Sequence, residues 1–390
     1  MFFRLQRDED IAPYGALQNL NRREVVDIRS KKEYTGCMKE IACYIHVPFC
    51  RAKCPYCDFF SLPAEQNAMA AYVKRCAEVF LTAAMEHDYR WKTLYLGGGT
   101  PSALPPELLA ELLAAARKRL LPGAEATMEC NPGSVTPELC ETLAAGGINR
   151  VSMGLQSAIA GERAALGRTA DTQQTERALR LLRAAGIQNI SLDVMLGIPG
   201  QTVRSLEDTL SFCAEAGAQH VSAYLLKIEE GTPFGRRAPD GLPDEDAQAE
   251  LYLHCCEWLE ARGYRQYEVS NFALPGYESR HNLAYWRCEE YYAVGPAAHG
   301  FTRGRRWYYP RDLERFLRGG NPVDDGPGGD FEERAMLALR LAEGLQNPPP
   351  EMRLKTERFA GQGLLVMDEE GLRLTREGFL VSNYVIGRLL

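Results

Sequence analysis

The sequence predicts an α/β fold in which six strand–helix units wind into a partly closed (β/α)6 barrel, with an α+β extension and a small C-terminal unit behind it. Three observations predict it. Short apolar runs recur six times, stretches of amphipathic helix separate them, and glycine or polar residues stand where each run ends. Near-continuous apolar strands that alternate with helices belong to a parallel sheet covered on its outer face. With 390 residues, 45% of them apolar and 25% charged, the chain is long enough to bury such a core without disulfide staples.

In order, the predicted strands are Ala42 to Val47 (ACYIHV), Thr93 to Gly98 (TLYLGG), Ala126 to Cys130 (ATMEC), Arg150 to Leu155 (RVSMGL), Asn189 to Met195 (NISLDVM) and His220 to Leu226 (HVSAYLL). Helical stretches fall near 66–88, 105–120, 136–146, 172–185 and 202–217. The organisation reads as a polar N-terminal extension over 1–37, a TIM-like partial barrel over 38–240, an aromatic-rich extension over 241–328 and a C-terminal unit over 329–390. Met38, where the pattern begins, is a second candidate start. The last unit has a winged-helix order: two helices, the hairpin-like VMDEEGLRLT and a final helix. Residues 351–390 carry six Lys or Arg against six Asp or Glu, so the basic stripe that groove binding needs is missing. A lid or docking module is expected there.

The net charge of −7 and a pI near 5.6 argue against a nucleic-acid partner. No run approaches ~18 apolar residues and no signal-peptide pattern opens the chain, so a cytoplasmic protein without a transmembrane segment is expected. In a reducing compartment most of the twelve cysteines read as small core residues, among them Cys76, Cys140, Cys213, Cys255 and Cys256.

Cys50, Cys54 and Cys57 are different. Three thiols on one short loop suit a four-iron cluster with one iron left open, whereas a closed zinc site normally needs four ligands. The loop follows the first strand. Gly97 to Thr100 end the second, Glu129 the third, Gln156 follows the fourth and Asp193 lies near the end of the fifth. Chemistry in barrels gathers at these C-terminal strand ends.

The spacing CxxxCxxC with Tyr56 before the last cysteine, followed by GGGTP, resembles the radical S-adenosylmethionine (SAM) superfamily. More narrowly, YIHVPFC, GGGTPS, Glu129 to Pro132, SMGLQS and LDVMLGIPGQT are similar to the anaerobic coproporphyrinogen III oxidase family, from about residue 40 to the C-terminus. The resemblance implies a radical SAM barrel with a 4Fe-4S cluster on Cys50, Cys54 and Cys57. It implies that Tyr44, Gly98, Gly99, Thr100, Glu129, Gln156, Arg168 and Asp193 contact SAM, with Lys227 and His299 aligned to backbone contacts. Acceptors such as Glu129 and Asp193 suit the α-ammonium and ribose hydroxyls, and Arg168 the carboxylate. Reduction of the cluster would then cleave SAM to a 5′-deoxyadenosyl radical, with an electron donor such as a flavodoxin or ferredoxin.

Two branches of that family differ in purpose. The oxidase branch carries a further cysteine two positions after the third cluster cysteine, where this chain has Phe59. His281 to Trp286 matches the HNxxYW signature of the heme chaperone branch, the HemW type, and YEVSNF at 267–272 is also similar to it. The resemblance therefore implies a protein that binds heme and delivers it to an acceptor protein, with His281, Tyr285 and Trp286 as candidate heme contacts. The alternatives at this point are an oxygen-independent coproporphyrinogen III dehydrogenase or another radical SAM tetrapyrrole enzyme, and a radical SAM methyltransferase. No residue is assigned as catalytic.

Overall fold

The computed structural model describes residues 38–390, so the predicted extension over 1–37 lies outside the described residues. The chain opens with strand β1 (Lys39–Val47), the two-residue pair β2 (Phe49–Cys50) and β3 (Leu62–Pro63), and helix α1 (Gln66–Glu86). Then follow β4 (Tyr89–Gly98), α2 (Pro106–Arg117), β5 (Leu120–Cys130), α3 (Pro137–Gly146), β6 (Arg150–Gln156), α4 (Ala160–Ala165), α5 (Thr172–Ala184), β7 (Asn189–Leu196), α6 (Val203–Glu215) and β8 (His220–Leu225). Side chains cap several of these helices at their first turn. Asp171 with Gln174 forms a capping box on α5, and Thr202 with Ser205 does the same on α6.

Strands β1, β4, β5, β6, β7 and β8 pair in parallel in that order, as the six apolar runs predict. The extension does not form a separate layer. It comprises α7 (Pro233–Arg236), α8 (Glu245–Glu260), β9 (Arg265–Glu268), β10 (Asn271–Ala273), α9 (Arg280–Trp286), β11 (Tyr291–Val294), β12 (His299–Thr302), β13 (Arg305–Tyr308), α10 (Leu313–Leu317) and β14 (Val323–Pro327). β10 and β9 continue the sheet beyond β8, whereas β11 pairs parallel to β1 and leads β12, β13 and β14 outward at the other edge. A seventh parallel strand therefore comes from a segment that composition assigned to the extension. The twelve-stranded sheet among the described residues stays open, as a partial barrel should.

The C-terminal unit follows the predicted order through α11 (Phe331–Ala338), α12 (Pro350–Gly361) and the hairpin β15 (Leu365–Met367) and β16 (Leu372–Leu374), and ends in two helices, α13 (Arg376–Leu380) and α14 (Ser382–Leu389), where one was predicted. No helix among the described residues is long and apolar enough to cross a membrane.

The period-two alternation of each strand decides where the core and the site lie. Outward-facing Leu94, Leu96, Val151, Met153, Leu155, Ile190, Leu192 and Val221 pack under Leu109, Leu112, Leu179, Leu182, Leu206 and Leu210 of the helices, all almost fully buried. Burying each such side chain contributes about 1.5–3 kcal/mol relative to exposure. The inward face is unlike the apolar filling of an ordinary barrel: it carries Tyr44 and His46, Thr93 and Tyr95, Thr127 and Glu129, Arg150 and Ser152, Ser191 and Asp193, His220 and Ser222. This polar lining leaves the barrel hollow.

Candidate functional site

The cysteine loop starts at the C-terminal end of β1 and is pinned at both ends. β2 and β3 pair in parallel across it, and the Phe234 amide donates to the carbonyl of Pro55 at 3.0 Å. Within it, the Cys57 amide donates to the Cys54 carbonyl at 3.1 Å, a turn that brings the second and third thiols to one side. Cys50 Sγ lies 3.3 Å from Thr100 Oγ1, and Arg168 Nη1 donates to Cys54 Sγ at 3.7 Å. All three cysteines are half-buried, and burial raises the Cys57 thiol above its ordinary range. Among the described residues no three His, Cys, Asp or Glu side chains converge on a single metal ion. By contrast Cys76, Cys140, Cys213, Cys255 and Cys256 are buried core residues, as expected.

The glycines at the end of β4 are required by close packing. Gly98 has φ +108°, and a Cβ there would stand 2.5 Å from His46 Nδ1; at Gly99 it would stand 2.7 Å from the Phe49 carbonyl oxygen. Their amides are already used: Gly98 donates to Glu129 Oε2 at 3.1 Å, Gly99 to the Val47 carbonyl at 2.9 Å and Thr100 to the Phe49 carbonyl at 2.8 Å. They fasten the end of β4 to Glu129 of β5 and to the segment Val47 to Phe49 that leads into the cysteine loop.

A chamber of about 690 Å³ opens from this loop. Its wall includes the three cysteines together with Gly98, Gly99, Thr100, Glu129, Gln156, Arg168, Asp193 and Lys227, and it continues to Trp286 and, on the C-terminal unit, Met336, Leu337 and Arg340. Gln156 holds φ +67° and accepts from the Tyr224 hydroxyl at 2.8 Å. The Asp193 carboxylate accepts from Ser152 Oγ at 2.9 Å; burial first, then the charge of Glu129, raises its pKa. Arg168 Nη2 donates to the Gly154 carbonyl at 2.8 Å, which fixes the cation beside Cys54.

Below lies an inner cavity of about 310 Å³, which shares Glu129, Ser152, Asp193 and Tyr224 with the chamber above. Tyr44 and His299 line this inner cavity and not the chamber. Tyr44 donates to His46 Nδ1 at 3.1 Å while His46 Nε2 donates to the Phe60 carbonyl at 2.9 Å, so the imidazole is the neutral Nε2–H tautomer. Burial lowers its pKa to about 4. His299 stacks on Tyr308 with ring centroids 5.3 Å apart.

Helix α9, which carries the HNxxYW residues, closes the inner cavity. Both oxygens of Glu125 accept from its first amides, those of Arg280 and His281, each at 3.0 Å. The His281 ring is 1% exposed and engaged on both nitrogens, with Thr93 Oγ1 at 2.7 Å from Nδ1 and the Tyr285 hydroxyl at 2.9 Å from Nε2. Burial, with the positive charge of Arg150 second, lowers its pKa to about 3. Tyr285 is 7% and Trp286 8% exposed. His281 and Tyr285 thus form a neutral, hydrogen-bonded plug on the inner cavity, whereas Trp286 lines the chamber above.

Residues 44–213 match the family model described as the radical SAM superfamily. Over 373 residues the chain is 33% identical to the heme chaperone HemW of Lactococcus lactis, a match covering 90% of this chain and 98% of that protein. Against the heme chaperone HemW of Mycobacterium tuberculosis it is 36% identical over 370 residues, covering 89% and 94%. The chain belongs to the HemW family of the radical SAM superfamily. Among solved structures, the coproporphyrinogen III oxidase HemN from Escherichia coli aligns with a TM-score of 0.78 at 20% identity over 90% of each chain. That likeness shows the shared fold.

Within this HemW-family chain, eight of the ten positions singled out for SAM share one chamber with the three cysteines, and Lys227 stands at its exposed rim in an ion pair with Glu229. Sequence reading missed Ser152, Tyr224, Asn131 and the C-terminal residues Met336 and Leu337. The first two carry a usable signal: counted in twos from Gly154 and Ser222, they fall on the inner face. The last two carry none, because their place depends on how α11 docks.

Proposed function

We propose that this protein is a heme chaperone that binds heme and passes it to an acceptor protein, holding a 4Fe-4S cluster on Cys50, Cys54 and Cys57 with an exchangeable SAM beside it. The observation that carries the reading is the continuous chamber, which runs from three thiols to Trp286, Met336 and Leu337, with the hydrogen-bonded pair Arg340 and Asn383 beside them. Its size is within the range of sites that take cofactor-sized ligands. One end has the polarity of SAM, and the other sets an indole and aliphatic side chains beside a guanidinium, a combination that suits an apolar macrocycle with carboxylate arms.

The residues fit both groups. Three thiols without a fourth protein ligand leave an iron of a cubane cluster free, and Arg168 places a fixed cation against Cys54, where negative charge accumulates. Glu129 and Asp193 offer acceptors to an ammonium and to hydroxyls. Because the amides of Gly98, Gly99 and Thr100 are occupied, contacts from that strand end to SAM fall to carbonyl oxygens and to the Thr100 hydroxyl. Bound together, cluster and SAM supply one-electron chemistry; whether transfer of heme consumes it is decided by measuring SAM turnover. Trp286 is assigned to the heme end of the chamber, and His281 and Tyr285 to the floor beneath it.

The test is anaerobic. Reconstituted protein is titrated with heme, then mixed with a heme-free acceptor protein, and separately incubated with reductant, SAM and coproporphyrinogen III. Tight heme binding and transfer without protoporphyrinogen formation is the expected result. Formation of protoporphyrinogen would overturn it in favour of the oxidase reading.

A further inference from the structure

Arg150 is the first residue of β6, and its inward alternation with Ser152 and Gly154 sends its side chain into the inner cavity. It is 2% exposed, among the largest fully buried side chains of the molecule. Its Nε is buried without a hydrogen-bond partner, and among the described residues no carboxylate pairs with the guanidinium. A guanidinium does not deprotonate in a protein, and a buried charge is normally retained only with a counter-charge.

The nearby groups do not provide one. His281 and His220, both lowered by burial and further by Arg150, are neutral, and Tyr95 and Tyr267 keep their protons because burial raises them. The Glu125 oxygens accept the amides of α9, those of Glu129 accept from Tyr95 and Gly98, and Asp193 is held by Ser152. Each carboxylate is therefore oriented by another donor. The result is a cavity whose wall carries Arg311 paired with Asp58, the Glu129 and Asp193 carboxylates already held by other donors, and at its base the Arg150 guanidinium without an ion-pair partner.

We infer that this inner cavity is a carboxylate-binding subsite anchored by Arg150. A planar guanidinium in a water-poor cavity binds a carboxylate by donating two parallel hydrogen bonds to it. The shared wall with the cluster chamber lets a ligand lie in the upper space and extend one carboxylate arm downward. Two sources carry that chemistry: a propionate of a bound tetrapyrrole, in which case the inference rests on the heme reading above, or a small free carboxylate.

The experiment uses full-length reconstituted protein with SAM present, as wild type, Arg150→Met and Arg150→Lys. Each is titrated with iron protoporphyrin IX and with its dimethyl ester, and its melting temperature is recorded with and without sodium propionate. If the propionate of heme is the ligand, Arg150→Met weakens heme binding about ten- to hundredfold. The ester then binds wild type and Arg150→Met alike, and Arg150→Lys recovers part of the affinity. If a free carboxylate is the ligand, heme affinity is unchanged but propionate raises the melting temperature of wild type and not of Arg150→Met; this outcome supports the subsite with the second source. Ligand-free Arg150→Met melts no lower than wild type, because it loses a charge that is unpaired until the ligand arrives. A merely structural arginine would give the opposite shift. Protein that binds no heme at all removes the chaperone reading, while the propionate arm still decides the subsite. If Arg150→Met does not fold, acid and ester binding equally tightly to wild type, with no propionate effect on wild type or Arg150→Lys, overturns the inference, as does indifference of a folded Arg150→Met to both ligands.

Discussion

Replacing His281 by alanine separates two roles that its sequence motif leaves together. In the structure the ring is 1% exposed and donates or accepts on both nitrogens, toward Thr93 and Tyr285. Removing it leaves two buried hydroxyls short of a partner, at about 1–3 kcal/mol each, and enlarges a cavity that admits only part of the compensating water. The expected loss is about 2–4 kcal/mol, felt where α9 seals the barrel. Hydrogen exchange reads this locally: amides of Arg280 to Trp286 in the ligand-free protein should exchange about thirty- to a thousandfold faster in His281→Ala. Cluster content should survive, since Cys50, Cys54 and Cys57 are held by other elements. Exchange within a few-fold of wild type, together with an altered heme spectrum, would refute the reasoning and return His281 to the role of a ligand.

Single replacement of Cys50, Cys54 or Cys57 by alanine should abolish the cluster by iron and sulfide analysis, whereas Cys76→Ala should retain it. Gly98→Ala places a side chain at φ +108° and 2.5 Å from His46; strain and overpacking of about 1–3 kcal/mol each should lower the melting temperature and weaken SAM binding, by calorimetry. Glu125→Gln should accelerate exchange in α9 as His281→Ala does, because it weakens the carboxylate that holds the first two amides of that helix. The pH profile has two opposed parts. Burial lowers His46 to about 4 and His281 to about 3, so their contribution is present above pH 6.5 and lost as pH falls toward 4. Burial raises Glu268 to about 8, so its contribution is complete below pH 4.5 and lost as pH rises through 8. Relative to wild type, Glu268→Gln should therefore gain a few kcal/mol between pH 5 and pH 8 in denaturant titrations, and a flat difference would contradict the assignment.

What could be read in advance, and what could not, follows the range of the forces involved. The six strands were legible because their outward faces are apolar over several consecutive residues, as in Asn189–Leu196, and periodicity is a local property. The cysteine loop was legible because its ligands lie within eight residues, so spacing alone carries the geometry. β11 was not. Its YYAV is too short to stand out within the aromatic segment, and its place beside β1 is decided by a contact across some 250 residues of chain.

The HNxxYW segment shows why the composition of a motif does not say what its side chains meet. Histidine beside tyrosine and tryptophan has the composition of a heme surface, and composition is all that a single sequence displays. Whether such a cluster faces solvent depends on what meets it, and here the partners Thr93 and Glu125 come from two barrel strands far away in the chain. Those partners make sense only because the barrel interior is polar, with Arg150, Ser152, Ser191 and His220 on inward positions of successive strands. A polar interior needs a polar stopper: an apolar side chain in place of His281 would leave the buried Thr93 hydroxyl without its partner, while the helix amides would still hold Glu125. The histidine, then, answers to the cavity it closes, and the cavity in turn keeps one cation, Arg150, unmatched within the protein.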